Sequence, residues 1–327
     1  MKKRLIIHIG SHKTATTFLQ GTFANSIEAL TSLGVLYPKS GRVFDAHFKL
    51  CWDLKNTELR QTSLFALPNW AEMLAEIEAS PLPFVVISAE TFGWGTDVSR
   101  LSDLADFYDV SILYYLRSPD SHLESFYNQL VKDFATREIR TLEHYMAEEP
   151  LGILDTAKLL KRWEEMFGRR AIKLRLFSEK FLPDGILADF LRSLGFSDWP
   201  DFGAPNSAVH HKVSLPPDAL EFLRLSNPWS VHQQAHYDFV IKLAKLAALN
   251  LADFQETRAG IMSLKARQTL RTRFRASQLG AVQSYLGLNK APFLPAEAPD
   301  FPGFDDRLAE ANVHVMGKVA ALLCLAQ

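Results

Sequence analysis

The stretch that decides the fold is HIGSHKTATTFLQ, residues 8–20, which overlaps the end of a short apolar run near the start of the chain. That run, from Leu5 to Ile9, predicts a buried strand. Beyond the loop 10–15, apolar residues recur at helical spacing at Leu19, Phe23, Ile27 and Leu30. The helix that they predict ends near Gly34. The chain is therefore predicted to open with a strand, a loop and a helix.

The same alternation continues along the chain. Short apolar runs with β-branched residues predict parallel strands that are covered on both faces, at 84–88 and 110–116, and 171–177 is predicted to be a further strand. Helical periodicity separates these runs, most clearly over 156–167. Strands that alternate with helices predict an α/β fold with a central, mostly parallel sheet.

The character of the sequence changes after about residue 200, where no further strand is predicted. Helices are expected around 217–226, 236–250 and 265–286, with a last one over 306–325. We expect a single domain over residues 1–327, with an α/β core over 1–200 and a mainly helical annex over 201–327.

The composition limits the classes of function. A formal net charge of −1 argues against non-specific binding to nucleic acid, which needs a basic surface. The two cysteines, Cys51 and Cys324, have no metal-ligand spacing and predict neither a disulfide framework nor a metal site. No apolar run has the length of a signal peptide or a membrane span, so a cytoplasmic location is expected.

The loop after the first predicted strand has the character of an anion site. Consecutive N–H groups at a helix N-terminus attract anions, Gly10 permits close approach, and Lys13 adds a positive charge. The loop differs from the nucleoside-triphosphate pattern G-x-x-x-x-G-K-[ST], because only two residues separate Gly10 from Lys13 and no glycine precedes the lysine. The alternative is a helix start with an exposed lysine.

Chemically capable side chains also follow two other predicted strands. Glu90 comes directly after 84–88, and Arg117 comes directly after 110–116, with Ser125 eight residues further on. Open parallel sheets bind ligands at the carboxyl ends of their strands, so these residues and the loop are expected at one edge. The alternative for Arg117 is an ion pair with a nearby carboxylate, and for Glu90 a pairing with a basic residue or a helix cap.

Two motifs resemble those of sulfotransferases that use 3′-phosphoadenosine 5′-phosphosulfate (PAPS). G-S-H-K-T-A-T-T, residues 10–17, is similar to the family's 5′-phosphosulfate loop, G-x-x-K-[TS]-[GA]-[TS]-[TS]. Y-Y-L-R-S-P-D-S-H-L-E-S-F-Y, residues 114–127, resembles the family's 3′-phosphate site, in which a serine follows a strand-end arginine by eight residues. The resemblance is closest to bacterial members related to carbohydrate sulfotransferases, and it covers roughly residues 1–200.

The resemblance implies a P-loop-like three-layer α/β/α fold and a set of residues that hold PAPS. By position in the motifs, the implied cofactor-binding residues are Gly10, Ser11, His12, Lys13, Thr14, Ala15, Thr16, Thr17, Arg117 and Ser125. Ala15 stands where many members have glycine. The late R-K-G-x-x-G-x-W-type loop of the cytosolic branch is not found, and the segments 206–212 and 267–275 are candidates for its role.

For the chemistry, the resemblance implies transfer of a sulfuryl group with Lys13 stabilising the leaving phosphate. Glu90 is the predicted general base, and His47 is the second candidate, with a hydrogen-bonded loop histidine as its alternative. No metal is expected. The expected acceptor is a hydroxyl or amine of a carbohydrate, metabolite or lipid headgroup, and a homodimer is compatible with the sequence. The alternatives are a P-loop nucleotide kinase and a PAPS-binding protein without catalysis.

Overall fold

The computed structural model describes residues 2–11, 14–203, 215–229, 232–249 and 261–293. The chain divides into two compact units. Unit 1 consists of Met1–Arg117, Asp155–Asn206 and Ala276–Pro292, and unit 2 of Ser118–Leu154, Ser207–Arg275 and Phe293–Gln327. The expectation of a single domain stays a prediction.

Unit 1 contains a five-stranded parallel sheet with the strand order β2-β3-β1-β4-β5. The strands are β1 Lys3–His8, β2 Val35–Leu36, β3 Phe84–Ser88, β4 Tyr108–Leu116 and β5 Ile172–Leu176. β1 is central, and its Ile7 lies opposite Ile87 of β3 and Ile112 of β4. The predicted α/β fold with a parallel central sheet is confirmed. β2 was not predicted, because two residues carry no periodicity.

The described helices alternate with these strands in unit 1 and form most of unit 2. In chain order they are α1 Thr16–Asn25, α2 Ile27–Ser32, α3 Phe48–Lys55, α4 Pro68–Ala79, α5 Pro119–Lys132, α6 Leu142–Glu148, α7 Thr156–Phe167, α8 Gly185–Leu194, α9 Pro217–Ser226, α10 Gln233–Leu249 and α11 Leu264–Leu286. Among the helices that the structure describes, none is both long and apolar enough to cross a membrane.

Each unit has its own apolar core. In unit 1, Leu19 and Phe23 of α1 and Phe190 of α8 pack with the sheet residue Ile6, and all four side chains are buried. α8 ends at Gly195, whose φ of 99° is a left-handed helix stop that glycine adopts without strain. In unit 2 a second core joins α5, α9, α10 and α11, through residues that include Leu123, Leu220, Leu243 and Leu270.

Several boundaries differ from the predicted ones. The helix expected to end near Gly34 is two helices, because Ser26 interrupts it and its hydroxyl donates to the main-chain oxygen of Phe202. The segment 35–65, without a clear pattern in sequence, contains α3. α10 begins at Gln233, slightly before the predicted start. The helix predicted over 306–325 lies outside the described residues.

Candidate functional site

The loop between β1 and α1 closes as a turn. The main-chain N–H and the hydroxyl of Thr14 both donate to the carbonyl oxygen of Ser11, at 3.3 and 2.9 Å. Ala15, the residue before α1, has a left-handed φ of 55°, and no side chain caps the helix start. The first N–H groups of a helix have no partner within the helix, so they are available to an anion. His12 and Lys13 lie outside the described residues.

Gly10 is required by packing within the protein. Its φ is 27°, and a Cβ atom there would lie 2.6 Å from Cγ2 of Thr16 and 3.3 Å from Cγ of Glu90. The expected reason for this glycine was close approach of the backbone to a ligand. The structure adds a second reason, because the space beside Gly10 is filled by Thr16 and Glu90, and the close approach to a ligand stays a prediction.

Glu90 lies beside the loop at the carboxyl end of β3. It begins a single 3-10 turn, Glu90–Phe92, and its side chain is buried. The Thr16 hydroxyl donates to Oε1 of Glu90 at 2.5 Å, and the Gln20 amide donates to Oε2 at 3.4 Å. The structure therefore brings together two sequence-predicted site residues, Thr16 and Glu90, from neighbouring elements of unit 1.

Three further residues extend this cluster and were not singled out in the sequence. The Gln20 amide also donates to the hydroxyl of Ser88 at 3.1 Å, and that hydroxyl lies 2.9 Å from Nδ1 of His8. Burial lowers the pKa of His8 to about 4, against the opposing effect of the Glu90 charge, so this imidazole is neutral at pH 7. Their positions in the sequence could have indicated two of them, since Gln20 is one helical turn beyond Thr16 and Ser88 ends β3.

His47 lies in a different environment from the one expected of a base. It is fully buried, the main-chain N–H of Ser88 donates to its Nδ1 at 3.1 Å, and its Nε2 lies 3.0 Å from the carbonyl oxygen of Pro38. Burial lowers its pKa to about 4. Since both ring nitrogens are occupied by main-chain groups, His47 matches the structural alternative, and we withdraw it as a candidate base.

A glycine that sequence reasoning missed holds the Glu90 turn against the loop. A Cβ atom on Gly93 would lie 2.7 Å from the carbonyl oxygen of Ile9 and 3.2 Å from that of Gly10. Real Cβ atoms do not approach backbone oxygens so closely, so only glycine fits without a shift of the main chain. The available signal was the second glycine-rich stretch, E-T-F-G-W-G, which begins at Glu90.

Ser11 lies near the start of the loop, and Thr17 lies in the first turn of α1, just beyond the loop. Ser11 is buried, and its side chain hydrogen-bonds with the hydroxyl of Tyr114 on β4, which also bonds with Thr156. Burial raises the pKa of Tyr114, so this hydroxyl stays protonated. Thr17, in the first turn of α1, is partly exposed. The start of the loop is thus fixed to the sheet, and its helical end borders solvent.

Arg117 and Ser125, the pair expected to hold a 3′-phosphate, belong to different units. Arg117 follows β4 in unit 1, where its guanidinium lies 5.7 Å from the ring centre of Phe177 and its carbonyl oxygen accepts from Gln278 at 3.0 Å. Ser125 is a partly buried residue of α5 in unit 2. Ser118 and Pro119 occupy the N-cap and first position of α5, and the Ser118 side chain makes no capping bond.

Arg267 and Arg271, from the segment considered for closing over a cofactor, form ion pairs inside unit 2. Arg271 bonds with the carboxylate of Asp120 at 2.9 Å, and Arg267 bonds with Glu124 at 2.7 Å. Burial alone would raise the pKa of Asp120, but the hydrogen bonds and charge of Arg271 outweigh it and the pKa lies below its ordinary value. These arginines stabilise α5 against α11. The other candidate segment, 206–212, lies outside the described residues.

Comparisons with known proteins assign no family. No family model matches the chain, and no curated protein matches it significantly. Among solved structures, a sulfotransferase from Alicyclobacillus acidocaldarius is similar, with a TM-score of 0.43 and 19% identity over 72% of this chain and 99% of that one. At this TM-score and identity the likeness decides neither family nor activity. Within the described residues there is no group of three or more His, Cys, Asp or Glu that could hold a metal.

Proposed function

We propose that the protein is a PAPS-dependent sulfotransferase, which moves the sulfuryl group of PAPS to a hydroxyl or amine of a carbohydrate, metabolite or lipid headgroup. The observation that carries the proposal is the contact between Glu90 and Thr16. It places a buried carboxylate from the end of β3 beside the first turn of α1, the helix that begins within the motif G-S-H-K-T-A-T-T. An anion site and a proton acceptor are thus adjacent.

The described part of the loop fits a phosphate group. α1 starts without a side-chain cap, and the left-handed Ala15 turns the chain into the helix, so the first N–H groups of α1 are suited to the 5′-phosphate. Thr17 is partly exposed and its hydroxyl can donate as well. From the motif alone, Lys13 would stabilise the charge that develops on the leaving phosphate.

Glu90 would act as the general base of an in-line displacement. PAPS supplies the sulfuryl group. In the reaction, the acceptor oxygen or nitrogen forms a bond to sulfur while the bond between sulfur and the 5′-phosphate oxygen breaks, and 3′-phosphoadenosine 5′-phosphate leaves. Glu90 takes the proton that the acceptor loses. Thr16 and Gln20 donate to the two carboxylate oxygens, which fixes the orientation of this base.

The 3′-phosphate is assigned by the motif of Arg117 and Ser125. A guanidinium offers planar, fixed donors that match a phosphate, and a hydroxyl adds one donor. This part of the proposal rests on the eight-residue spacing in the sequence. It distinguishes the protein from a nucleotide kinase, which has no use for a 3′-phosphate site.

Calorimetric titration tests the proposal, with 3′-phosphoadenosine 5′-phosphate, ADP and ATP as ligands, each with and without magnesium. We expect micromolar binding of the 3′-phosphorylated nucleotide without magnesium, and much weaker binding of ADP. The matched variants are Arg117→Ala, which should remove the preference over ADP, and Arg60→Ala at an exposed surface position, which should not. Equal affinity for ADP, or magnesium-dependent binding of ATP, would contradict the proposal and favour a kinase-like protein.

A further inference from the structure

His8 ends β1 and lies in the interior of unit 1. Its side chain is fully buried, and its ring packs edge-on against Tyr115 and Phe190, with ring centres 5.9 and 5.6 Å away. In the sheet, His8 lies opposite Ser88 of β3. The three residues before it, 5–7, are buried apolar residues of the core. A polar ring at this place therefore needs a reason other than packing.

The two ring nitrogens of His8 differ in their contacts. Nδ1 lies 2.9 Å from Oγ of Ser88, whereas Nε2 is buried without a hydrogen-bond partner among the described residues. A buried polar atom without a partner lowers stability, so histidine is not the residue that packing alone favours here. Because burial lowers the pKa of His8 to about 4, the ring is neutral at pH 7 and one of its nitrogens can accept a hydrogen bond.

The direction of the hydrogen bonds around His8 follows from Glu90. As an ionised base, Glu90 can only accept, so Gln20 must present its NH₂ group to Oε2 of Glu90, 3.4 Å away. The same nitrogen lies 3.1 Å from Oγ of Ser88 and donates its second hydrogen there. Ser88 then donates its own hydrogen to its second side-chain partner among the described residues, Nδ1 of His8. This direction places the proton of the neutral ring on Nε2.

The chain of bonds controls which end of the Gln20 amide faces Glu90. While Nδ1 of His8 accepts from Ser88, the Ser88 oxygen accepts from Gln20, and the NH₂ group stays toward the carboxylate. Without an acceptor at position 8, the Ser88 hydroxyl can donate to Gln20 instead, and the amide carbonyl oxygen would then face the carboxylate. Two acceptors repel each other, so Glu90 would shift from the position in which the Thr16 hydroxyl also holds it.

We propose that His8 is a positioning residue for Glu90, which acts through Ser88 and Gln20 and whose Nε2-protonated form fixes the orientation of the carboxylate. This inference rests on the proposed function and deepens it, because it explains how the base is held. His8 is fully buried and acts from inside the protein. Displacement of a catalytic group by about 1 Å can lower a rate by about 10²-fold, so a fixed orientation matters for turnover.

Long-range ¹H–¹⁵N NMR of the full-length protein at pH 7 tests the direction of the bonds without any substrate. The ring signals of His8 are identified by their loss in His8→Leu. We expect a neutral ring with the proton on Nε2 and with Nδ1 as an acceptor. A proton on Nδ1, or a charged ring, would overturn the inference.

Turnover of labelled PAPS measures the positioning effect, with water and methyl β-glucopyranoside as probe acceptors. His8→Leu and Ser88→Ala each break the chain of bonds, so kcat should fall about tenfold or more while the KM for PAPS stays within about twofold. His8→Asn keeps an acceptor oxygen close to the place of Nδ1, so it should keep most of the rate. The control is Ser111→Ala, a partly buried serine of β4 opposite Ile6, and it should leave both constants unchanged.

Thermal unfolding of the two His8 variants separates positioning from packing. His8→Leu places an apolar side chain in an apolar site, so it should have a higher Tm than His8→Asn, which leaves a cavity and a buried polar group. A positioning role thus predicts that the less stable variant is the more active one. Activity that follows Tm would overturn the inference.

The wild type distinguishes failure of this inference from failure of the proposed function. If the wild type turns over PAPS and kcat is unchanged in both His8→Leu and Ser88→Ala, the positioning role is wrong and the proposed function stands. If the wild type neither binds 3′-phosphoadenosine 5′-phosphate nor turns over PAPS, the proposed function fails, and the positioning role fails with it.

Discussion

The two units each contain a buried carboxylate, and the two carboxylates are held in different ways. In unit 1, Glu90 accepts from the hydroxyl of Thr16 and the amide of Gln20. In unit 2, Asp120 is 1% exposed and accepts from the guanidiniums of Arg271 and Arg267. The first carboxylate lies beside an anion-type loop, and the second lies inside an ion-pair cluster.

The type of donor affects how readily a carboxylate can exchange a proton. A carboxylate between two guanidiniums is strongly held as an anion, and the pKa of Asp120 is accordingly lowered despite its burial. Such a group stabilises the fold and is a poor proton acceptor. Hydroxyl and amide donors orient a carboxylate with less effect on its charge. Burial and hydrogen bonding therefore do not by themselves mark a catalytic group, and the type of donor is the more useful criterion.

The largest expected effect is that of Glu90→Gln on turnover. Glutamine keeps the shape and one acceptor oxygen but cannot take a proton, so the rate of sulfuryl transfer should fall by about 10²–10⁴-fold. Binding of 3′-phosphoadenosine 5′-phosphate should stay within about twofold, because the loop amides remain. Transfer from labelled PAPS and calorimetry on the same sample measure both. Full turnover in this variant would show that Glu90 is not the base.

The counterpart in unit 2 is Asp120→Asn, which should act on stability. Removing one partner of a buried ion pair leaves unpaired charge, at a cost of about 3 kcal/mol in the free energy of unfolding. Denaturant unfolding measures this cost. The paired variant Asp120→Asn with Arg271→Met should recover part of it, since both charges are then gone. If Asp120→Asn unfolds with the same free energy as the wild type, the ion pairs of Asp120 contribute nothing to stability. The contrast between Asp120 and Glu90 would then disappear.

The buried histidines of unit 1 and Asp120 of unit 2 should affect the free energy of unfolding in different pH ranges. His8 and His47 are neutral in the folded protein, with pKa values lowered from 6.5 to about 4, so the unfolded chain takes up protons first as the pH falls. Each histidine should lower the free energy of unfolding by about 3 kcal/mol as the pH falls from 6.5 to 4, with no further loss below pH 4. Asp120 has a lowered pKa, so its contribution is lost only as the pH falls below about 4.

Denaturant unfolding from pH 7.5 to pH 4 measures the histidine contribution. His47→Gln should flatten the curve by about half, because His8 remains. His144→Gln, at an exposed position of α6, should leave the slope unchanged. A wild-type curve that is flat between pH 6.5 and pH 4 would contradict the buried, neutral state of both imidazoles.

The smallest expected effect concerns the glycine that fixes the Glu90 turn. Gly93→Ala should cost about 1–3 kcal/mol, because the new methyl group would meet the carbonyl oxygen of Ile9 and push the turn from the loop. Gly280→Ala, in α11 with nothing within 4 Å of the added atom, should gain about 0.5–1 kcal/mol as alanine replaces a helix glycine. Equal changes in the free energy of unfolding in the two variants would show that Gly93 does not lie against the carbonyl oxygen of Ile9.

The fold followed from the sequence wherever a segment was long and periodic. β3 and α7 have the predicted limits, because a β-branched apolar run and an amphipathic stripe each give a clear period. β2 and α3 were missed, since one has two residues and the other mixes polar and apolar residues without a clear stripe. Ser26 divides a periodic run through a contact with Phe202, and no local pattern reports such a distant contact.

The sequence predicted several residues of the candidate site, but it predicted fewer of the contacts between them. The loop and Glu90 were named because parallel strands place their carboxyl ends at one edge. Gln20 and Gly93 were missed because their roles depend on neighbours that are distant in sequence, Ser88 and Ile9. For His47 the sequence left both a base and a hydrogen-bonded loop histidine open, because burial and main-chain partners are invisible in a single sequence.

Hydrogen exchange read by mass spectrometry, with and without 3′-phosphoadenosine 5′-phosphate, tests whether unit 1 contains the nucleotide site. If unit 1 contains the nucleotide site, peptides that cover residues 8–20 and 88–93 should exchange more slowly in the complex, and peptides of α6 in unit 2 should not change. Nucleotide binding with protection confined to other segments, and none over residues 8–20, would show that the nucleotide site lies elsewhere.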